Sequence, residues 1–187
     1  MSALRTRRAD GSQERPRTTP ERFVRCYLCG ATIKVAVRAQ SSFCSSCQKR
    51  LVVPDQVIKN VHWGGVLASC GTITVQRRGR AITKVTIASG GVIIHGEHEG
   101  LIISGGPVQL SSGGVLRGGV IAPEFVFGPD AVIEGDPFRI PCDPLGRLDP
   151  ERAALLVSKG KPLPSLAELR GETDPVEGER PRRRRRA

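Results

Sequence analysis

The chain has 187 residues with 22 glycines, 14 prolines and only 4% aromatic side chains, and its formal net charge is +11. That length allows one ordinary domain, or a small one plus a metal-held module, and the composition suits tight turns and slim apolar layers better than a bulky globular core. No apolar run reaches the roughly eighteen residues that a membrane-spanning helix needs. The Arg-, Thr- and Pro-rich start lacks an apolar h-region, so no secretory signal is expected.

The charge is unevenly spread. Residues 1–25 hold seven Arg against three acids, and 179–187 hold six Arg against one Glu, whereas 57–141 carry seven basic and six acidic side chains. A basic, proline-containing arm buries too little apolar surface to order itself, so residues 1–22 are expected to be disordered.

Residues 23–53 form the second segment, in which Cys26-x-x-Cys29 and Cys44-x-x-Cys47 bracket an alternating strand at Thr32 to Val37. Two such pairs place four thiolates at the corners of a tetrahedron, the arrangement of a structural zinc site with no open coordination position. Gly30, directly after the first pair, lets backbone N–H groups approach the sulfurs. Two disulfides are the alternative, but nothing in the sequence signals an oxidising compartment, and Cys70 and Cys142 would be left over. Those two are read as ordinary shielded thiols. A piece this short, whose aromatics are Phe23, Tyr27 and Phe43, is expected to need one zinc ion to fold. Arg25, Lys34, Arg38, Lys49 and Arg50 are candidate phosphate contacts; protein binding or capping of a neighbour are the other roles for such a module.

From 57 to 141 the texture becomes short β-branched units separated by glycine turns. VQLSSGGVLRGGV at Val108 aligns with FVFGPDAVIEGDP at Phe125 at an offset of 17, pairing Leu110 with Phe127, Leu116 with Ile133 and Gly118 with Gly135; VTIASGGV at Val85 matches Val108 onward at an offset of 23. The six-residue difference implies coils of about 17 or 18 residues with three faces, one match being displaced by a face. Such coils bury their apolar stripes only by stacking. About five coils are expected, with Val75, Ile93, Leu110 and Phe127 on one inner column. An antiparallel sandwich would show longer strands and turns every 8–12 residues.

The last segment, 142–187, is proline-rich. It carries one predicted helix at 150–159, with Asp149 as N-cap, Pro150 at the first position and Gly160 as terminator, and a weaker turn at Ser165 to Arg170. The run Arg182, Arg183, Arg184, Arg185, Arg186 suits an anionic lipid surface or nucleic acid as well as solubility. Of the three histidines, His95 and His98 lie in IIHGEHEG and are expected to be solvent-facing turn residues; neither they nor His62 belong to a recognisable nucleophile–base set, phosphate loop or carboxylate pair.

The glycine-punctuated repeat, above all FVFGPDAVIEGD from Phe125 to Asp136, resembles the bactofilins, bacterial polymer-forming cytoskeletal proteins. The resemblance covers roughly 57–140, and the cysteine module in front departs from the simplest members. It implies an all-β fold, a short right-handed parallel β-helix preceded by the zinc ribbon, that stacks end to end into filaments without nucleotide. The final coil, with Phe125, Phe127 and Phe138, is the expected polymer interface; the helix 150–159 folding back as a cap is the alternative. The expected protein is a cytoplasmic scaffold and not an enzyme. Its partners would be itself, an anionic membrane surface at the inner face, or other proteins reached by the tails and zinc module. A zinc-ribbon nucleic-acid binder that oligomerises through the β-helix is the second reading, and an acyltransferase-like or carbonic-anhydrase-like β-helix enzyme a distant third.

Overall fold

The computed structural model describes residues 20–135, 138–146, 148–157 and 164–170. The basic arm up to residue 19 and the arginines at 182–186 lie outside the described residues.

Two antiparallel hairpins come first: β1 (Glu21–Arg25) with β2 (Thr32–Ala36), and β3 (Ser41–Phe43) with β4 (Arg50–Val52). Next is a parallel β-solenoid of five rungs with three faces. The first face is β5 (Gln56–Ile58), β7 (Thr72–Val75), β9 (Gly91–Ile94), β11 (Val108–Leu110) and β14 (Phe125–Phe127). The second and third faces are joined in the early rungs. β6 (Val61–Ser69), β8 (Arg80–Ala88) and β10 (Glu97–Ser104) each run along both faces. The later rungs divide into β12 (Val115–Arg117) and β13 (Val120–Ile121), then β15 (Val132–Glu134) and β16 (Phe138–Arg139). Two short helices follow, α1 (Pro150–Leu156) and α2 (Leu166–Arg170).

The repeat alignment holds in space. Val108 pairs with Phe125, Leu110 with Phe127 and Leu116 with Ile133, while Val85 lies on the third face and Val108 on the first, the displacement that the offset of 23 implied. One column differs. Val75 stacks on Ile94, which stacks on Leu110, so Ile94 and not Ile93 points inward. The corners between the first and second faces differ in length, four residues at Gln76–Gly79 but two at His95–Gly96, so the rung spacing is uneven, and a slip of one residue sends a side chain to the opposite face of a strand. The glycine column at the corner between the second and third faces is a backbone requirement. Gly100, Gly118 and Gly135 have φ of +122°, +141° and +126°; a Cβ on the first two would strike the carbonyl of the preceding rung, and one on Gly135 would press on the Gly118 backbone. These φ values also disfavour L side chains.

Inside the column, Ile73, Val75, Val92, Ile94, Ile102 and Leu116 are buried with their neighbours. His98 is also here and not on a solvent-facing turn. Its register neighbours are Ala81 and Leu116, both inward, so alternation along β10 turns its ring into the lumen. Nε2 meets Thr86 Oγ1 at 2.9 Å, Thr86 meets Thr83 at 2.8 Å, and Nδ1 has no protein partner. Burial depresses the imidazole to about 4. His95 is half-buried at the preceding corner, its Nδ1 2.7 Å from Ser111 Oγ.

The third face is buried on both sides. Its outward residues Val85, Ile87, Leu101, Ile103 and Ile121 share an apolar cluster with Tyr27, Leu28, Leu51 and Val53 of the hairpins and with Leu145, Leu148, Ala153 and Leu169 of the C-terminal segment. The cysteine module is therefore packed on the solenoid and does not stand apart from it. α1 lies across β6 and β8 at the side of the coil, so it does not cap the last rung. Asp149 caps it as expected, accepting from the amides of Glu151 and Arg152, but the helix ends at Leu156 with Val157 already extended. Ala153 is its one fully buried residue, and short helices persist only as far as packing holds them. The weak turn at Ser165 becomes α2 through reciprocal capping: Ser165 Oγ accepts from the Glu168 amide, and Glu168 accepts from the Ser165 amide.

Candidate functional site: a four-sulfur cluster and an open aromatic end

Each Cys-x-x-Cys turn follows the first strand of a hairpin. The Cys26 amide donates to the Ala31 carbonyl and the Gly30 amide to the Cys26 carbonyl; in the second turn the Cys44 amide donates to Lys49 and the Gln48 amide to Cys44. Gly30 and Gln48 occupy matching places, and both have positive φ, +75° and +58°. That conformation turns the amides after each leading cysteine toward its sulfur: Leu28 and Cys29 N–H lie 3.4 and 3.5 Å from Cys26 Sγ.

The four Sγ atoms of Cys26, Cys29, Cys44 and Cys47 lie within 4.8 Å of one another, with Cys29–Cys44 at 3.5 Å and Cys26–Cys47 at 3.9 Å, and none forms a disulfide. An ion about 2.3 Å from each of four sulfurs at tetrahedral angles places the sulfurs about 3.8 Å apart. The cluster fits a metal ion. Burial pushes the Cys26 thiol far above its ordinary range. At Cys44 burial acts in the same direction but is outweighed by hydrogen bonds from the Cys47 and Ser46 amides, which bring it down to about 7. Cys70 is buried beside Tyr27, its thiol raised to about 11 by desolvation, and Cys142 is half-buried; neither joins the cluster.

The first turn is also a fastener. Leu148 donates to the Leu28 carbonyl at 2.7 Å, and Arg25 bridges Asp143 at 2.6 Å while donating to the Gly30 carbonyl. Of the candidate phosphate contacts, Arg25 is engaged in this way and Lys34 pairs with Glu21. Arg38, Lys49 and Arg50 are exposed.

The last rung brings Phe125, Phe127 and Phe138 together. Phe125 and Phe138 stack at 5.1 Å between ring centroids, and Phe125 and Phe127 are tilted at 5.8 Å. By register all three continue inner columns, through Val108, Leu110 and Val120. With no further rung above them among the described residues, Phe127 is 60% exposed and Phe138 partly so. Charges run along the second face as a ladder: Arg80 to Glu97 at 3.2 Å, Glu97 to Arg117 at 3.3 Å, Arg117 to Glu134 at 2.8 Å. Composition hid what covers the third face, although a signal was present. Leu101-Ile102-Ile103 and Val120-Ile121-Ala122 are continuous apolar runs, the mark of strands buried on both sides.

The fold is thus a parallel β-solenoid carrying a four-cysteine cluster. No family model, no curated protein and no solved structure matches this chain. Among the described residues, no helix is long and apolar enough to cross a membrane.

Proposed function

We propose that this protein is a bactofilin-like scaffold that assembles into filaments by stacking solenoids, without nucleotide and without catalysis. One observation carries the reading: among the described residues, the terminal rung leaves an aromatic ring of Phe125, Phe127 and Phe138 half uncovered, at a sheet edge whose backbone groups lack a strand. Open parallel edges are templates for another strand. A solenoid that stays monomeric needs a polar or covered terminal coil, and the only helices described lie at the side of the coil. The four-cysteine cluster holds one structural zinc, and the module and basic tails recruit proteins or an anionic membrane surface in the cytoplasm. Repetition along a filament turns weak tail contacts into firm attachment.

The test is sedimentation and negative-stain microscopy of purified, nuclease-treated protein without ATP or GTP, with elemental analysis alongside. Filaments and one zinc per chain are expected. Phe127→Arg should abolish pelleting while leaving the β circular dichroism signal, because it puts a charge in the joint. Protein that remains monomeric at all concentrations would overturn the scaffold reading.

A second reading has its own observation. Phe23 and Phe43 are exposed on the hairpins, directly across from Lys34 and Arg50. Exposed rings beside cations are stacking platforms for single-stranded nucleic acid. Oligonucleotide affinity that falls steeply with salt and is lost in Phe43→Ala would favour it.

A further inference from the structure

The outward side of the second face changes character along the coil. In the later rungs it carries the paired charges Glu97, Arg117 and Glu134, and at the first rung Val61 and Trp63. Trp63 is the only tryptophan of the chain. His62 before it stacks on the inward Ala81, so alternation turns the indole out of the coil, where it is 74% exposed with the half-buried Ile82 in the rung above. Gly65, two residues on, has open space around an added Cβ and no positive φ. The fold therefore does not require glycine there. Its effect is to leave bare backbone beside the indole, as in strands that a ligand approaches closely.

Cations flank the ring on both sides. The corner between the first and second faces holds Lys59 and Asn60 in the first rung, and Gln76–Gly79 stacks on it: the Gln76 N–H donates to the Ile58 carbonyl and the Arg80 N–H to that of Asn60. Arg77 and Arg78 lie in this longer corner and are exposed. At the far corner Lys84 is exposed, between Thr83, which stacks on Gly64, and Val85, which stacks on Val66. The strand from Asn60 to Gly64 that separates the two corners spans about 13 Å at roughly 3.3 Å per residue. Residues 54–90 carry Lys59, Arg77, Arg78, Arg80 and Lys84 against Asp55 alone, a net of +4. Arg80 is paired with Glu97, but the other four form no ion pair with the described residues.

We propose that this flank binds single-stranded nucleic acid, with phosphates at the two cationic corners and an unpaired base stacked on Trp63. Phosphates answer the uncompensated charge, and an open ring between cations is a stacking platform that accepts any base. A duplex offers no free ring face to a side chain standing on a flat strand, and an acidic peptide brings charge without a planar partner for the indole. The site is on the solenoid and separate from the hairpin rings Phe23 and Phe43. It goes beyond the scaffold reading and does not depend on it: the indole points sideways, away from the axis along which rungs stack, so the flank is open in a single copy and in a stack of copies alike.

The lone tryptophan makes the test direct. Full-length, metal-loaded protein is titrated with labelled oligothymidylate, with oligouridylate, and with an abasic oligomer of the same length and charge, while tryptophan emission and the anisotropy of the label are recorded. The oligomers with bases are expected to quench Trp63; the abasic one is expected to bind the basic tails and leave the emission unchanged. Whichever base-bearing oligomer binds more tightly identifies the strand as DNA or RNA. Trp63→Ala should weaken that binding roughly five- to a hundredfold, and Trp63→Phe should retain most of it. Replacing Arg77→Gln and Arg78→Gln together should lower the slope of log affinity against log salt by about 1.4. Pelleting and circular dichroism without oligomer should be the same in all these variants as in the wild type, which keeps failure of this proposal distinct from failure of the scaffold reading. Binding that leaves the emission unchanged, or that is lost in Phe43→Ala and kept in Trp63→Ala, would place nucleic acid on the tails or hairpins and overturn the proposal. An equal emission change with polyglutamate or with vesicles of anionic phospholipid would make the partner an acidic protein segment or a membrane, and would overturn it as well.

Discussion

The cysteine module and the solenoid reach stability by opposite routes. The module gathers thirty-odd residues around four sulfurs, a few turn amides and an apolar face shared with the coil, with Phe23 and Phe43 left in solvent. The solenoid repeats one unit five times, so each rung's edge and inner stripe are satisfied by the next. Local chemistry carries one, and repetition the other. The difference teaches where each is vulnerable: the module at single atoms, the solenoid only at its ends and along the third face, where it depends on the module and helices for cover.

Removing the metal proposed for the four-cysteine cluster should break this comparison open. Structural zinc–thiolate sites contribute about 10 kcal/mol or more. Chelation under reducing conditions is therefore expected to strip hydrogen-exchange protection from residues 21–52. Because Leu148 bonds Leu28 and Asp143 pairs with Arg25, protection should also fall across 143–156, while β8 to β11 keep theirs. Full protection of the module without metal would mean that packing on the solenoid is sufficient.

The seam itself comes next. Ile103 is fully buried on the outward side of the third face, and Ile103→Ala should cost about 2–5 kcal/mol in urea denaturation. Phe127→Ala, at an exposed end, should cost much less in the monomer. Equal losses would show that the third face is no more dependent on its cover than the open end.

Acid sharpens the view of the interior. His98 is neutral in the fold, depressed to about 4 from the ordinary value of 6.5, so the unfolded chain takes up a proton first as pH falls. Its contribution is fully present above pH 6.5, is lost between about 6.5 and 4, and changes no further below. The span corresponds to about 3 kcal/mol. His98→Leu should flatten the stability profile in that window; an unchanged slope would assign the acid sensitivity to other groups. The smallest effect is expected at α1, where Asp149→Ala removes a cap accepting two amides and should cost about 1 kcal/mol in thermal unfolding.

Much of this was legible because it depends on spacing along the chain. The offset of 17 between Val108 and Phe125 sets the rung length, and each Cys-x-x-Cys pair fixes two sulfurs on one turn, so the two hairpins need only face each other to gather four. The Ile93 column slipped because the corners on either side of it differ in length, four residues at Gln76–Gly79 and two at His95–Gly96, which shifts register without altering composition. His98 looked polar and turn-like beside Glu97 and Glu99, yet alternation along β10 turns it inward.

By itself the sequence determined the repeat, most of its inner stripe, the glycine corners and the four-cysteine set, since each follows from local geometry at a fixed interval. Only the tertiary structure decided that Tyr27, Leu28 and Ala153 converge on one face of the coil. It alone left the aromatic rung without cover from the other described residues. Contacts between segments a hundred residues apart, such as Arg25 with Asp143, leave no periodic trace. They arise from which apolar surface remains once the rungs have stacked, and the hydrophobic effect closes that surface without regard to distance along the chain.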